Sequence, residues 1–224
     1  MAEKVNHHVQ LLEDRLAAHI PGARVVPTAL PQCPELSLYL LNADYPQHQL
    51  DAQAMQGILN YPAYWAFCWA SGQVLARYLL DHPVLVSGKT VLDFGCGSGV
   101  AALAARLAGA ARVIACDIDP DARLATRCNA RLNHLEVEVC GDFSTVTARA
   151  DLILAADVLY DRENLIWLER FLRRSPRVLV ADSRVRNFDY AGYRSVAQVS
   201  SGTIPDLEES AEFARVSLYE GQAD

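Results

Sequence analysis

Residues 91–99, Val-Leu-Asp-Phe-Gly-Cys-Gly-Ser-Gly, constrain the fold of this chain more than any other segment. A short apolar run enters three glycines at alternate positions, and an alanine-rich stretch follows at 100–108. That order describes a β-strand turning sharply into a helix. Glycine suits such a turn because it adopts left-handed backbone angles without a steric penalty and lets the backbone approach a ligand closely. The start of the helix then presents free N–H groups to whatever occupies the turn.

The alternation continues downstream. Residues 90–94 read as a strand, 99–108 as a helix and 112–116 as a second strand. Asp119-Pro120 supplies a capping residue and a proline at the first helical position, opening a helix to about Leu132. Strands are expected at 135–140, 151–156 and 177–181, a helix at 163–173, and a closing hairpin from 193–199 and 213–219. Strands joined through helices by short connections imply a doubly wound α/β fold, a mainly parallel sheet with helices on both faces.

Upstream, Val5, Val9, Leu12, Leu16 and Ile20 share one side of a helix that Pro21-Gly22 ends. Residues 36–41 read as a strand, and the polar stretch 42–60 as a long loop of the kind that forms lids or substrate contacts. Ser71 can cap a helix to about Leu80, which Asp81-His82-Pro83 stops. The expected division is an N-terminal helical and strand extension over 1–60, with its substrate or lid segment, followed by one α/β domain over 61–224.

The chain's 224 residues, 51% apolar, suffice for the core of one domain with an extension. A net charge of −7, from 27 acidic and 20 basic side chains, argues against general nucleic-acid binding, which needs clustered positive charge. No run approaches the roughly 18 apolar residues of a membrane span, so a soluble protein is expected. Glu3, Glu13 and Asp14 fit neither a secretory signal nor a mitochondrial presequence. Cys33, Cys68, Cys96, Cys116, Cys128 and Cys140 form no C-x-x-C pair and have no histidines at zinc-finger spacing. They read as small buried thiols in a reducing cytoplasm, with no metal site.

The glycine turn by itself admits two cofactors, because Gly97-Ser-Gly99-Val-Ala-Ala102 also satisfies the dinucleotide pattern G-x-G-x-x-A. Asp93 separates them. A carboxylate directly before the turn repels a pyrophosphate but suits an α-amino group, and S-adenosyl-L-methionine carries the amino group and no phosphate. Asp117, at the end of the second strand, can accept hydrogen bonds from both ribose hydroxyls, which either cofactor presents. Asp142, after the third strand, can accept the exocyclic amine of adenine. Asp119 is better explained as the cap before Pro120.

The 91–99 segment and Cys116-Asp-Ile-Asp-Pro120 resemble the first two signature motifs of the class I, seven-strand methyltransferases, over roughly residues 88–182. The resemblance implies a Rossmann-like, seven-stranded sheet. It also implies S-adenosyl-L-methionine held by Asp93, Gly95, Cys96, Gly97, Gly99, Asp117, Ile118 and Asp142, with S-adenosyl-L-homocysteine as product. Pro62-Ala-Tyr-Trp-Ala-Phe-Cys-Trp-Ala-Ser-Gly72, Val74-Leu-Ala-Arg-Tyr-Leu-Leu80 and Ala156-Asp-Val-Leu-Tyr160 are similar to the family 16 protein methyltransferases. Within that family they look closest to the electron-transfer flavoprotein β-subunit lysine methyltransferases and their bacterial counterparts, over about 60–182. This implies Asp157 and Tyr160 as the catalytic pair at the acceptor site, Trp69 and Asp157 beside the cofactor, and the flavoprotein β subunit as protein partner.

The chemistry is consistent with those residue types. A lysine amine, with a reference pKa of about 10.4, must lose a proton before it attacks a methyl group, and positioning then supplies most of the rate. Asp157 can fix the approaching ammonium, and rings from Tyr160, Trp65 or Trp69 can favour the cationic sulfonium and the methylated product. Whether Asp157 also takes the proton is open at this level. The missing Asn-Pro-Pro-Tyr after the fourth strand argues against amide or adenine methylation. The ribosomal protein L11 methyltransferases share the glycine motif and Asp-Ile-Asp-Pro, but carry a dedicated N-terminal substrate domain for which 60 residues look too short. A small-molecule amine methyltransferase, a NAD-linked oxidoreductase and a binding module without turnover complete the alternatives.

Overall fold

The computed structural model describes residues 2–45, 63–185, 188–206 and 213–223. The expected lid at 42–60 therefore falls mostly outside the described residues.

Helix α1 (Ala2–His19) ends just before the predicted stop at Pro21-Gly22; it buries Leu12 and Leu16, and Ile20 directly after it is buried too. An antiparallel hairpin follows, β1 (Val25–Ala29) and β2 (Ser37–Leu41). The sequence pattern predicts only β2, because Pro27 interrupts the first run and has no N–H to give a ladder. The sheet tolerates it because β1 is an edge strand, with Pro27 opposite Tyr39.

The second sheet has seven strands: β3 (Thr90–Phe94), β4 (Arg112–Cys116), β5 (Glu138–Cys140), β6 (Leu152–Ala156), β7 (Arg177–Asp182), β8 (Tyr193–Ser200) and β9 (Arg215–Gln222). Their spatial order is β5-β4-β3-β6-β7-β9-β8. The first five run parallel, and β9 is antiparallel to both β7 and β8. This is the doubly wound, mainly parallel arrangement the pattern predicts. β5 is shorter than the expected 135–140, since only Glu138–Cys140 find partners on β4. The second strand of the final hairpin starts at Arg215 rather than residue 213 and runs on to Gln222.

Helices α2 (Ala70–Asp81) and α3 (Val100–Leu107) cover one sheet face, and α5 (Ile166–Arg174) covers the other. Strand residues alternate between the two cores, as their pleat requires. Val91, Val113 and Leu154 join the α2–α3 side, whereas Leu92, Ile114 and Ile153 pack with Phe143 and Phe171. Helix α4 (Pro120–Leu132) receives α1 against Ala122, Ala125 and Cys128. The predicted Asp119-Pro120 start is observed, with the Asp119 side chain accepting from Asp121 N at 2.8 Å. The helix predicted from residue 163 opens instead as a 3-10 turn, Arg162–Leu165, whose cap is Asp161.

Five of the six cysteines are buried and none forms a disulfide. Among the described residues, no helix is long and apolar enough to cross a membrane.

Candidate active site

Because β3 is followed in sequence by β4 and β5 on one side, and by β6 and β7 on the other, the winding reverses between β3 and β6. Open α/β sheets bind ligands in the crevice beyond the strand ends at such a reversal. The 95–99 turn leaves β3 there, and residues 157–160 leave β6. They abut closely: a Cβ on Gly95 would lie 2.7 Å from Val158 Cγ1.

The turn is held from two sides. Gly95 N and Cys96 N donate to Cys116 O at 2.8 and 3.1 Å, and Gly97 N donates to the Asp117 carboxylate at 2.9 Å. From behind, α4 contributes Thr126, whose hydroxyl donates to Gly97 O at 3.1 Å, and Asn129, whose amide donates to Ser98 O at 2.8 Å. Gly95, Gly97 and Gly99 all have positive φ, at +68°, +51° and +84°. They differ in what faces them. A Cβ on Gly99 would strike Thr126 at 2.9 Å, whereas one on Gly97 would meet nothing within 4 Å. The open face at Gly97 is a cradle into which a ligand can settle. Cys96 turns its buried thiol toward Thr126 Oγ1, 3.3 Å away, leaving its backbone as its contribution to the turn.

The acidic residues are engaged locally. Asp93 is 2% exposed, and its carboxylate accepts from Ala102 N at 3.0 Å in the first turn of α3. Burial pushes this carboxyl up to about 7, against the opposing pull of the Ala102 N–H, with the nearby Asp117 charge adding a smaller upward push. An acid whose folded pKa exceeds its unfolded value contributes stability at low pH and loses it as pH rises from about 4 to 7. Asp93→Asn is therefore expected to be more stable than the parent by about 1 kcal/mol or more at pH 8. The gap should close below about pH 4, where both residues are neutral. Denaturation midpoints across pH check this, and a pH-independent gap would refute it.

Asp117 ties the turn to the end of β4, one oxygen accepting from Gly97 N and the other from Asp119 N, both at 2.9 Å. Each carboxylate oxygen can accept a second bond, so capacity for ribose hydroxyls remains. Arg123 donates to Asp117 O and Ile118 O, at 2.7 and 2.9 Å, and fixes the backbone there. The Ile118 side chain is 88% exposed, an apolar surface beside an acid. Asp142 caps the short 3-10 turn Phe143–Thr145, accepting from Ser144 N at 2.7 Å and from the Ser144 hydroxyl at 2.8 Å. Those two bonds keep its carboxyl below the usual range.

Asp157 sits at φ +50°, a left-handed conformation uncommon outside glycine. The Ser71 hydroxyl donates to its Oδ1 at 2.7 Å and the Ser183 hydroxyl at 3.0 Å, while the backbone N–H groups of both serines approach at 3.3 Å. Burial raises the Asp157 carboxyl above the ordinary range despite these donors. Ser71 is thus not the cap of α2. Trp69 occupies the N-cap position without a side-chain capping bond, and Asp157, at the end of β6, supplies the missing acceptor. A carboxylate at a helix start is favourable there.

Around this turn stands a set of aromatic rings. Tyr160, 59% exposed, lies 5.8 Å from Tyr64, which lies 5.7 Å from Trp69. The Trp69 indole donates to Tyr64 O at 2.9 Å. Trp65 is different: it is 1% exposed and packs in the core with α1 and α4, so it is removed from the aromatic wall considered for it. Ser183, Thr126, Asn129 and Tyr64 are not marked as site residues by the sequence pattern. Nothing in the local pattern marks the first three, but Tyr64 precedes Trp65 inside the quoted motif.

Comparison with known proteins adds to this geometry. The sequence pattern of the ribosomal protein L11 methyltransferase family (PrmA) matches residues 75–161. The electron transfer flavoprotein beta subunit lysine methyltransferase of Danio rerio is 40% identical over 152 residues, 64% of this chain and 59% of that protein. Its Homo sapiens counterpart is 39% identical over 127 residues, 53% of this chain and 48% of that protein. The aligned part of the chain thus spans about half the length of these curated relatives, 48–59%. The 16S rRNA N2 G1207 methyltransferase (RsmC) of T. thermophilus, in complex with AdoMet and guanosine, aligns with a TM-score of 0.58. It covers 90% of this chain and 51% of its own at 13% identity, a likeness of fold.

Proposed function

We propose that this chain, which has the Rossmann-like fold of the class I methyltransferases, is an S-adenosyl-L-methionine-dependent protein-lysine N-methyltransferase acting on the electron-transfer flavoprotein β subunit. The observation that carries the reading is the juxtaposition at the β3–β6 crevice. An open glycine cradle lies beside Asp157, a partly buried carboxylate that has Tyr64, Trp69 and Tyr160 near it. The relatives at 39–40% identity, named as lysine methyltransferases of that subunit, support this choice of acceptor.

The residues present fit the cofactor. The face of Gly97 is open, the apolar Ile118 is exposed to lie against an adenine, and Asp117 keeps acceptor capacity for ribose hydroxyls. Asp93 behind the turn favours an amino group over a phosphate. When bound, S-adenosyl-L-methionine supplies a methyl group activated by its sulfonium. The protein's part is to hold a lysine in line with it. Among the described residues Asp157 Oδ2 carries one long bond, to Ser71 N at 3.3 Å, which leaves lone-pair capacity for the lysine ammonium. Tyr160 and Tyr64 offer π faces to the cation, an interaction of about 0.5–2 kcal/mol. Once the lysine proton has left, attack needs only alignment.

Calorimetry should give tight binding of S-adenosyl-L-homocysteine and none of NAD, and binding of NAD alone would overturn the cofactor assignment. Labelled S-adenosyl-L-methionine, purified protein and electron-transfer flavoprotein should yield label in the β subunit. The match at 75–161 favours ribosomal protein L11 as the second reading. Label in L11 instead, or only in a small amine, would defeat the substrate assignment while leaving the cofactor reading intact.

A further inference from the structure

Strand β2 has a hairpin partner on one side, and its other edge would leave backbone groups unpaired. Helix α4 covers that edge with two asparagines. Asn129 Oδ1 accepts from Tyr39 N at 2.7 Å, and Asn133, the residue that caps α4, accepts from Ser37 N at 3.0 Å and donates to Ser37 O at 2.6 Å. The fit has a geometric basis. Residues four apart on a helix are about 6 Å apart along its axis, and residues two apart on a strand about 6.6 Å. Asparagines one helical turn apart therefore meet alternate groups on the outward edge of β2.

The two asparagines differ in their remaining bonds. Asn133 donates to Asn129 O, within its own helix end, at 2.7 Å. Asn129 donates to Ser98 O, inside the glycine turn, at 2.8 Å. Asn129 is fully buried, as is Thr126 one turn earlier, which bonds Gly97 O. One amide thus links the hairpin to the turn: its oxygen takes a strand N–H, and its nitrogen serves a turn carbonyl.

We propose that Asn129 is a positioning residue for cofactor binding, and that through it the N-terminal hairpin is part of the apparatus that shapes the 97–99 turn. The inference rests on the reading of that turn as the S-adenosyl-L-methionine site. Asn133 provides the control, since it serves the same hairpin without touching the turn.

The experiment is calorimetry with S-adenosyl-L-homocysteine on the full chain, Asn129→Ala and Asn133→Ala, with a melting curve for each. Both variants should melt earlier. Asn133→Ala should keep its Kd within about twofold, whereas Asn129→Ala should bind about five- to tenfold more weakly, the worth of one buried hydrogen bond. Asn129→Asp keeps an acceptor for Tyr39 but removes the donor to Ser98, and should weaken binding at least as much, which covers the case of an unfolded alanine variant. A folded Asn129 variant with parental affinity overturns the inference, and so does an equal loss in Asn133→Ala. Absence of binding by the parent protein overturns the cofactor reading itself, and the inference with it.

Discussion

Asp157→Asn should lower kcat/KM for lysine methylation at least about a hundredfold, some 2.7 kcal/mol of transition-state stabilisation, while the protein stays folded. Asparagine tolerates the left-handed backbone at φ +50° as well as aspartate does, and its carbonyl can still accept from the Ser71 hydroxyl. What it lacks is negative charge. A neutral amide forms no ion pair with a lysine ammonium and is too weak a base to take up its proton. Asp157→Ala should lose the same activity and also lower the melting temperature, because four donors from Ser71 and Ser183 lose their acceptor. Comparing the two variants therefore separates chemistry from scaffolding.

The pH profile gives a second check. Burial raises the Asp157 carboxyl, so in the free enzyme the active carboxylate is lost as pH falls through a value above the ordinary carboxylate range. The acid limb of kcat/KM reports that value, and it should be missing from the residual activity of Asp157→Asn. Retention of parental kcat/KM in this variant would remove Asp157 from the acceptor site and leave it as a tie between β6, β7 and α2.

How much of this was legible in the sequence depended on the range of the forces involved. The parallel core strands and α4 follow from local apolar runs and from the Asp119-Pro120 start, and they stand where the pattern puts them. Strand β1 escaped because Pro27 is a local signal against a strand, and only the edge position of β1 reconciles them. Ser71 shows the limit most clearly. A serine near a helix start reads as a cap, but its bond crosses 86 positions to Asp157, and no local pattern encodes that partner. Ser183 and Asn129 were silent for the same reason. The tryptophans looked equivalent in one motif, and only packing separates buried Trp65 from Trp69 beside Tyr64.

Substituting Gly97 should abolish cofactor binding while sparing the fold, and its neighbour Gly99 should show the reverse emphasis. At φ +51°, Gly97 lies in the region that ordinary residues enter at a cost of about 1–2 kcal/mol, and its added Cβ would touch nothing in the protein. Gly97→Val is therefore expected to remain folded with a modestly lower melting temperature. Its side chain, however, would stand in the space the cofactor needs, and affinity for S-adenosyl-L-homocysteine should fall at least about a hundredfold, since a ligand cannot share that volume. Gly99 faces inward. Its Cβ would lie 2.9 Å from Thr126, the fully buried side chain that also holds Gly97 O, and its φ of +84° adds strain. Gly99→Ala should thus lose about 2–4 kcal/mol of stability, combining overpacking with left-handed strain. Measuring Kd and unfolding midpoints for both variants tests the assignment of the two faces. If Gly97→Val binds S-adenosyl-L-homocysteine as the parent does, the open side of the turn is not the cofactor cradle, and the ligand must approach β3 from elsewhere.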